Sequence, residues 1–348
     1  MLVLAAASLL TALWAGLVRA GWPLSLHHDH HPLAHGPLLL CGFLGTVIGL
    51  EKASAIGKTW AYLAPFFAAV GAIRLILRPD PFLASVAFVV ASAILILIFG
   101  ALLRRRTDFS EIVMLGGALA WLVGNVIWMT GRSIPTAVSW WLAFPILIIV
   151  GERLELSRIV PKPPRAVAVL VAALGIYAAG VVWIGWNLDF ALRLQGLGLL
   201  LISSWLFRFD LARRTVRSSG VHRYTALCLL LGFVWLAVGG GLATIWGLDL
   251  QGLRYDALIH SILLGFAFGM IFGHAPIIAP MLLGRRIAFD HLFYAPLILL
   301  QISLALRITS DLAEWLPGRS WGALLNVASV LLFLMITARG LARGEKIG

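Results

Sequence analysis

Charge is scarce in this chain. Of its 348 residues only 12% are Asp, Glu, Lys or Arg, where a soluble domain carries about a quarter. Apolar residues make up 61%, and the mean hydropathy is +0.97. That balance excludes a water-soluble globule, a disordered chain and a fibrous protein. Cysteine is nearly absent too. Cys41 and Cys228 both lie inside apolar runs, so no disulfide framework and no Cys-based zinc site is available. No C-x-x-C-H occurs, which excludes ordinary covalent attachment of a c-type haem. The opening segment MLVLAAASLLTALWAGLVRAG lacks the basic start of a signal peptide and reads as a retained first helix. None of the 15 acidic residues falls near the middle of an apolar run. Proton-coupled transporters and pumps usually need ionisable groups at such depth.

What is present is a series of long apolar runs. They fall near 2–19, 35–56, 60–78, 82–103, 111–130, 135–151, 166–187, 190–207, 223–247, 257–280, 291–308 and 320–340, the sixth and eighth being short. A spanning helix takes ~20 mostly apolar residues, so the runs predict an all-α polytopic membrane protein with about twelve transmembrane helices. The strands of a membrane β-barrel would alternate at every second residue instead. No internal repeat or linker stands out, and the Pro-rich stretch Pro161–Pro164 is a tight connection. The expectation is a single transmembrane domain over residues 1–348.

The net charge is +12, from 27 Lys and Arg against 15 Asp and Glu. The basic residues sit between apolar runs rather than on a polar face with interleaved aromatics, so nucleic acid is not an expected partner. Counted with the flanking helix ends, the even-numbered gaps and the carboxyl terminus hold 19 Lys and Arg, and the odd-numbered gaps hold 8. Arg104–Arg106 and the Arg208–Arg223 stretch are the strongest runs. The positive-inside rule then places the even gaps and both termini in the cytoplasm, and the odd gaps in the periplasm or its equivalent.

Few polar residues lie inside the runs: Asn125, Gln195, Ser203, Ser204, Thr244 and Gln301. Hydrogen bonding between helices accounts for them. The histidines are more telling. Five of the nine fall in HHDHHPLAH, as His27, His28, His30, His31 and His35. His35 starts the second helix and His260 lies one turn inside the tenth, both on the odd-gap side. Two imidazoles at matched depth on different helices are a geometry for the two axial positions of one haem iron. Each histidine taken alone also reads as a polar residue at the headgroup level. Gly42 and Gly49 lie seven and fourteen residues after His35 and share its helix face, an expected cleared strip for a flat macrocycle. Gly265, Gly269 and Gly273 form a stripe that reads as a packing face against another helix. Asp256, four residues before His260, either accepts a ring N–H and fixes the tautomer or caps the tenth helix. Arg307 either pairs with a haem propionate or snorkels to the interface. The cluster His27, His28, His30 and His31 reads as a copper or zinc site or as a solvated loop. His222, His274 and His291 read as interfacial, and His274 lies ~21 Å along the helix from His260.

At these residues the sequence resembles a known family. HGPLLLCGFLGTVIGLEKA (35–53) and HSILLGFAFGMIFGHAPII (260–278) are similar to the histidine-bearing segments of the NnrS family. Those are twelve-helix bacterial membrane proteins that contain haem and copper and are linked to nitric-oxide stress and denitrification. More distantly, histidines on helices two and ten resemble the low-spin haem ligands of haem–copper oxidase subunit I, and the helix count matches that bundle. The resemblance covers about forty residues. It implies a haem b held by His35 and His260, copper as a second metal, and NO or a redox protein as partner. It does not extend to the oxidases' binuclear centre. Runs 135–151 and 166–187 contain no His, and residues 257–263 contain only His260. The expected function is therefore a haem-binding membrane protein of nitric-oxide response. The alternative is a cofactor-free permease for a neutral or apolar substrate.

Overall fold

The computed structural model describes residues 1–24, 31–78, 81–105, 107–160, 162–249 and 252–344. It is all-α, with no β-strand among those residues. Twelve helices are long and apolar enough to cross a membrane. We number them α1 (Leu2–Arg19), α2 (Pro32–Ile56), α3 (Thr59–Leu77), α4 (Pro81–Arg105), α5 (Phe109–Met129), α6 (Ile134–Leu156), α7 (Pro164–Trp183), α8 (Leu188–Phe209), α9 (Gly220–Trp246), α10 (Gly252–Ile278), α11 (His291–Leu312) and α12 (Leu316–Arg343). Each overlaps one of the twelve apolar runs. The sixth and eighth are not short: they hold 23 and 22 residues. Hydropathy stops at the first charge, but α6 continues through Glu152, Arg153 and Glu155. The outward faces are apolar: Leu97, Ile245 and Met335 are each more than 60% exposed. Such positions suit lipid, and the helices make contact with a bilayer the natural reading.

The chain divides into two compact units, Met1–Glu155 and Leu156–Gly348. In the first, α1 packs on α2 and α3, and α3, α4 and α5 pack in chain order. Its core is aromatic. Trp121 of α5 stacks on Phe144 of α6 at 4.6 Å, and both are fully buried. Around them runs a satisfied polar network. Trp121 donates to Cys41 Sγ (3.3 Å), the Cys41 thiol donates to Asn125 Oδ1 (3.3 Å), and Trp141 donates to the same oxygen (2.9 Å). The Asn125 amide donates to the Phe88 carbonyl and to Ser92 Oγ. Asn125 thereby ties α5 to α2, α4 and α6. α2 ends at Gly57, whose φ of +66° is the left-handed conformation that closes a helix without a Cβ penalty.

In the second unit α7, α8, α9 and α10 pack in chain order, α11 lies against α10, and α12 lies against α11. Phe272 of α10 stacks on Phe333 of α12 at 4.0 Å. Gly265, Gly269 and Gly273 all face α9, as the stripe predicts: a Cβ on Gly265 would run into Trp235, and one on Gly273 would lie 3.0 Å from Cys228. Gln195, Ser203 and Gln301 bond to neighbouring helices, through the Gly180 carbonyl, the Phe233 carbonyl and Trp235 Nε1. The side chains of Ser204 and Thr244 do not. Each hydroxyl turns back to the carbonyl four residues earlier in its own helix, a bond that needs no partner helix.

Candidate functional site

In the first unit, His35 lies in the opening turn of α2, and its ring rests on α1. Nδ1 is 2.7 Å from the Ala12 carbonyl. A Cβ on Gly16, one turn further along α1, would lie 2.8 Å from the imidazole Cε1. A carbonyl only accepts, so Nδ1 carries a proton, and in the neutral imidazole the lone pair is then on Nε2. Immediately beyond, Leu38–Leu44 is π-helical, and all seven residues are buried. Pro37 supplies a local reason: it has no N–H for the carbonyl four residues back, and the ladder shifts register. The expected strip for a macrocycle is not open. A Cβ on Gly42 would meet Ser8 of α1 and Ala72 of α3, and one on Gly49 would meet Pro65 of α3. Gly42 and Gly49 let helices approach closely, because α1 and α3 fill the face that the sequence alone left bare.

In the second unit, His260 is built the same way. Nδ1 is 2.8 Å from the Asp256 carbonyl, one turn earlier in α10. The Asp256 carboxylate lies farther, at 3.4 Å. The backbone carbonyl, not the side chain, therefore holds the ring N–H. The residues after His260, Ser261–Phe268, are again π-helical and buried. Ser261 Oγ donates to the Ala257 carbonyl at 2.8 Å, competing with the ladder bond that an α-helix would make there. Among the described residues these two segments are the π-helical ones, and each begins within three residues of a candidate ligand.

Arg307 is not presented to an outside carboxylate. Its Nε and Nη2 both donate to Asp256 Oδ2, at 3.1 and 2.8 Å. Two residues absent from the sequence-based candidates complete the group. Arg319 of α12 lies 3.7 Å from Asp256 and 3.3 Å from Asp311 of α11. Asp311 has no exposed surface, and the side chains of Asp256, Arg307 and Arg319 are at most 15% exposed. Two buried carboxylates thus balance two guanidiniums beside His260. Their signal in the sequence was weak, since each stands near a helix end, where hydropathy assigns charges to the interface.

The first unit holds a second such group. Lys52 of α2, 6% exposed, donates to Glu51 (2.9 Å) and to Glu152 of α6 (2.8 Å). His274 is set like the other two, with Nδ1 2.8 Å from the Met270 carbonyl. His222 and His291 are exposed. His27, His28 and His30 lie outside the described residues, as does the side chain of His31. Among the described residues no three His, Cys, Asp or Glu side chains gather as a metal site.

Comparison with known proteins adds a family. The domain of unknown function DUF8744 matches residues 1–341, and the chain belongs to that family. No curated protein matches it.

Proposed function

We propose that this DUF8744 protein is a haem-binding protein of the bacterial inner membrane, with His35 and His260 as the residues that would hold the haem iron and both termini cytoplasmic. Its role is in nitric-oxide response, as the NnrS resemblance implies. The observation that carries the reading is the recurrence, once in each compact unit, of a tethered histidine with a buried π-helical segment starting within three residues of it. π-Helical turns are rare and concentrate at functional sites. The donor set fits a haem: each imidazole holds its Nδ1 proton on a backbone carbonyl, the usual device by which a ligating histidine fixes its tautomer and strengthens its other nitrogen. A haem held by these two histidines would supply single-electron exchange and a site for a diatomic gas. The chain's own part is orientation. Ala12 and Gly16 seat the His35 ring, and the Asp256 carbonyl holds His260 while Arg307 and Arg319 hold the Asp256 carboxylate.

The test is an optical spectrum of detergent-purified protein, oxidised and dithionite-reduced. Sharp reduced α and β bands are expected, lost in both His35→Ala and His260→Ala and kept in His274→Ala. A folded but colourless protein overturns the reading.

A second reading has its own observation. Lys52–Glu152 and the Asp256–Arg307–Asp311–Arg319 group are ionisable residues buried within spanning helices, and such groups commonly mark ion or substrate paths. They support a permease. Counterflow uptake into liposomes that survives both histidine substitutions is its expected signature.

A further inference from the structure

Five cations surround one cavity in the second unit, and its wall includes none of the candidate haem residues and none of the Asp256–Arg307 group. Its volume is about 490 Å³, and Lys162, Arg208, Arg213, Arg214 and Arg217 contribute to its wall, with Asp210 as the single acid. That volume lies in the range of about 300–1,000 Å³ that takes small ligands. Arg208, Arg213, Arg214 and Arg217 are exposed and pair with no carboxylate among the described residues. Asp210 is buried, and its Oδ1 accepts the Ala212 N–H at 2.7 Å, so part of its capacity is used in holding the turn that carries the arginines.

Two cations are already placed by the fold. Lys162 donates to the Ser157 carbonyl at 2.7 Å and lies 5.9 Å over the Trp205 ring. Arg208 lies 5.3 Å over the Phe209 ring. Burial pulls the Lys162 pKa below its ordinary value, against the opposing pull of Asp210. An anion in the cavity would act in the same direction as Asp210. Like charges at such density repel one another unless an anion joins them.

We propose that this cavity binds the phosphate of an anionic phospholipid headgroup. The position argues for a lipid. α7 begins at Pro164 and α8 ends at Phe209, so the lining residues stand where the apolar spans stop, at headgroup level. Basic pockets between helices at that level are the recognised form of anionic-lipid sites. Val160, Pro163 and Phe209 add an apolar wall for the glycerol end. The inference is independent of any haem.

The test is native mass spectrometry of the full-length protein titrated with phosphatidylglycerol, with phosphatidylcholine and inorganic phosphate as separate arms. The wild type is compared with Arg213→Gln/Arg214→Gln/Arg217→Gln and, as a control, with Arg285→Gln/Arg286→Gln, a basic pair outside the cavity. A basic residue near an anionic lipid is worth about a factor of five, so the triple substitution is expected to weaken phosphatidylglycerol binding about a hundred-fold. The control pair is expected to leave it within about two-fold. Equal affinity for phosphatidylcholine, an unchanged triple variant, or an equal loss in the control overturns the site. Arginine-dependent binding of inorganic phosphate without binding of phosphatidylglycerol overturns the lipid assignment. Thermal unfolding of each variant separates lost binding from lost fold.

Discussion

Asp256→Asn removes the carboxylate shared by Arg307 and Arg319 while keeping the side chain's shape and one acceptor oxygen. The structure sets the size of the effect. Arg307 donates twice to Oδ2, and the two side chains are 8% and 14% exposed. Removing one partner of a buried pair typically costs about 3–5 kcal/mol, because the remaining charge stays buried and uncompensated. Asn keeps a hydrogen bond, and Asp311 still stands 3.3 Å from Arg319, so the lower end, about 3 kcal/mol, is expected. At about 2 °C per kcal/mol, the small end of the usual range for long chains, the midpoint falls by roughly 6 °C. The assay is thermal unfolding of the detergent-purified protein, run as a double-mutant cycle with Arg307→Gln. The double variant lacks the orphaned guanidinium, so its cost is expected to fall short of the summed single costs by about 2 kcal/mol. Additive costs, or an Asp256→Asn protein within about 0.5 kcal/mol of wild type, would show that the group contributes nothing as a unit.

Four further substitutions test other parts of the fold. Gly265→Ala drives a Cβ against Trp235 and is expected to cost about 1–3 kcal/mol, whereas Gly241→Ala, with nothing within 4 Å, is expected to be neutral or slightly stabilising in the same unfolding assay. Asn125→Leu strips the acceptor from Trp141 and the donor from the Phe88 carbonyl. A loss of about 2–3 kcal/mol is expected, with altered tryptophan fluorescence; an unchanged midpoint would refute the network. Lys52→Met removes the ammonium that Glu51 and Glu152 share. A loss of about 3–5 kcal/mol is expected, partly restored by adding Glu152→Gln, and no restoration would show that the pair is not coupled.

The number and order of the helices were legible in the sequence, because lipid imposes one constraint on every span: about twenty residues with their backbone satisfied within the helix. The Gly265–Gly273 stripe was legible for a related reason, since small residues four apart share one face wherever the helix packs. What each face meets was not. Gly42 and Gly49 look like room beside His35 until α1 and α3 are in place, because spacing along one helix carries no information about its neighbours. Arg307 looks available until Asp256 is found against it, 51 residues away in the chain. The buried charges escaped notice because hydropathy treats a charge near a helix end as exposed, and only packing against other helix ends buries it. The two π-helical segments lie in the same class. Pro37 hints at the first, but a ladder shifts register according to what its surroundings hold, and only the tertiary structure supplies those surroundings.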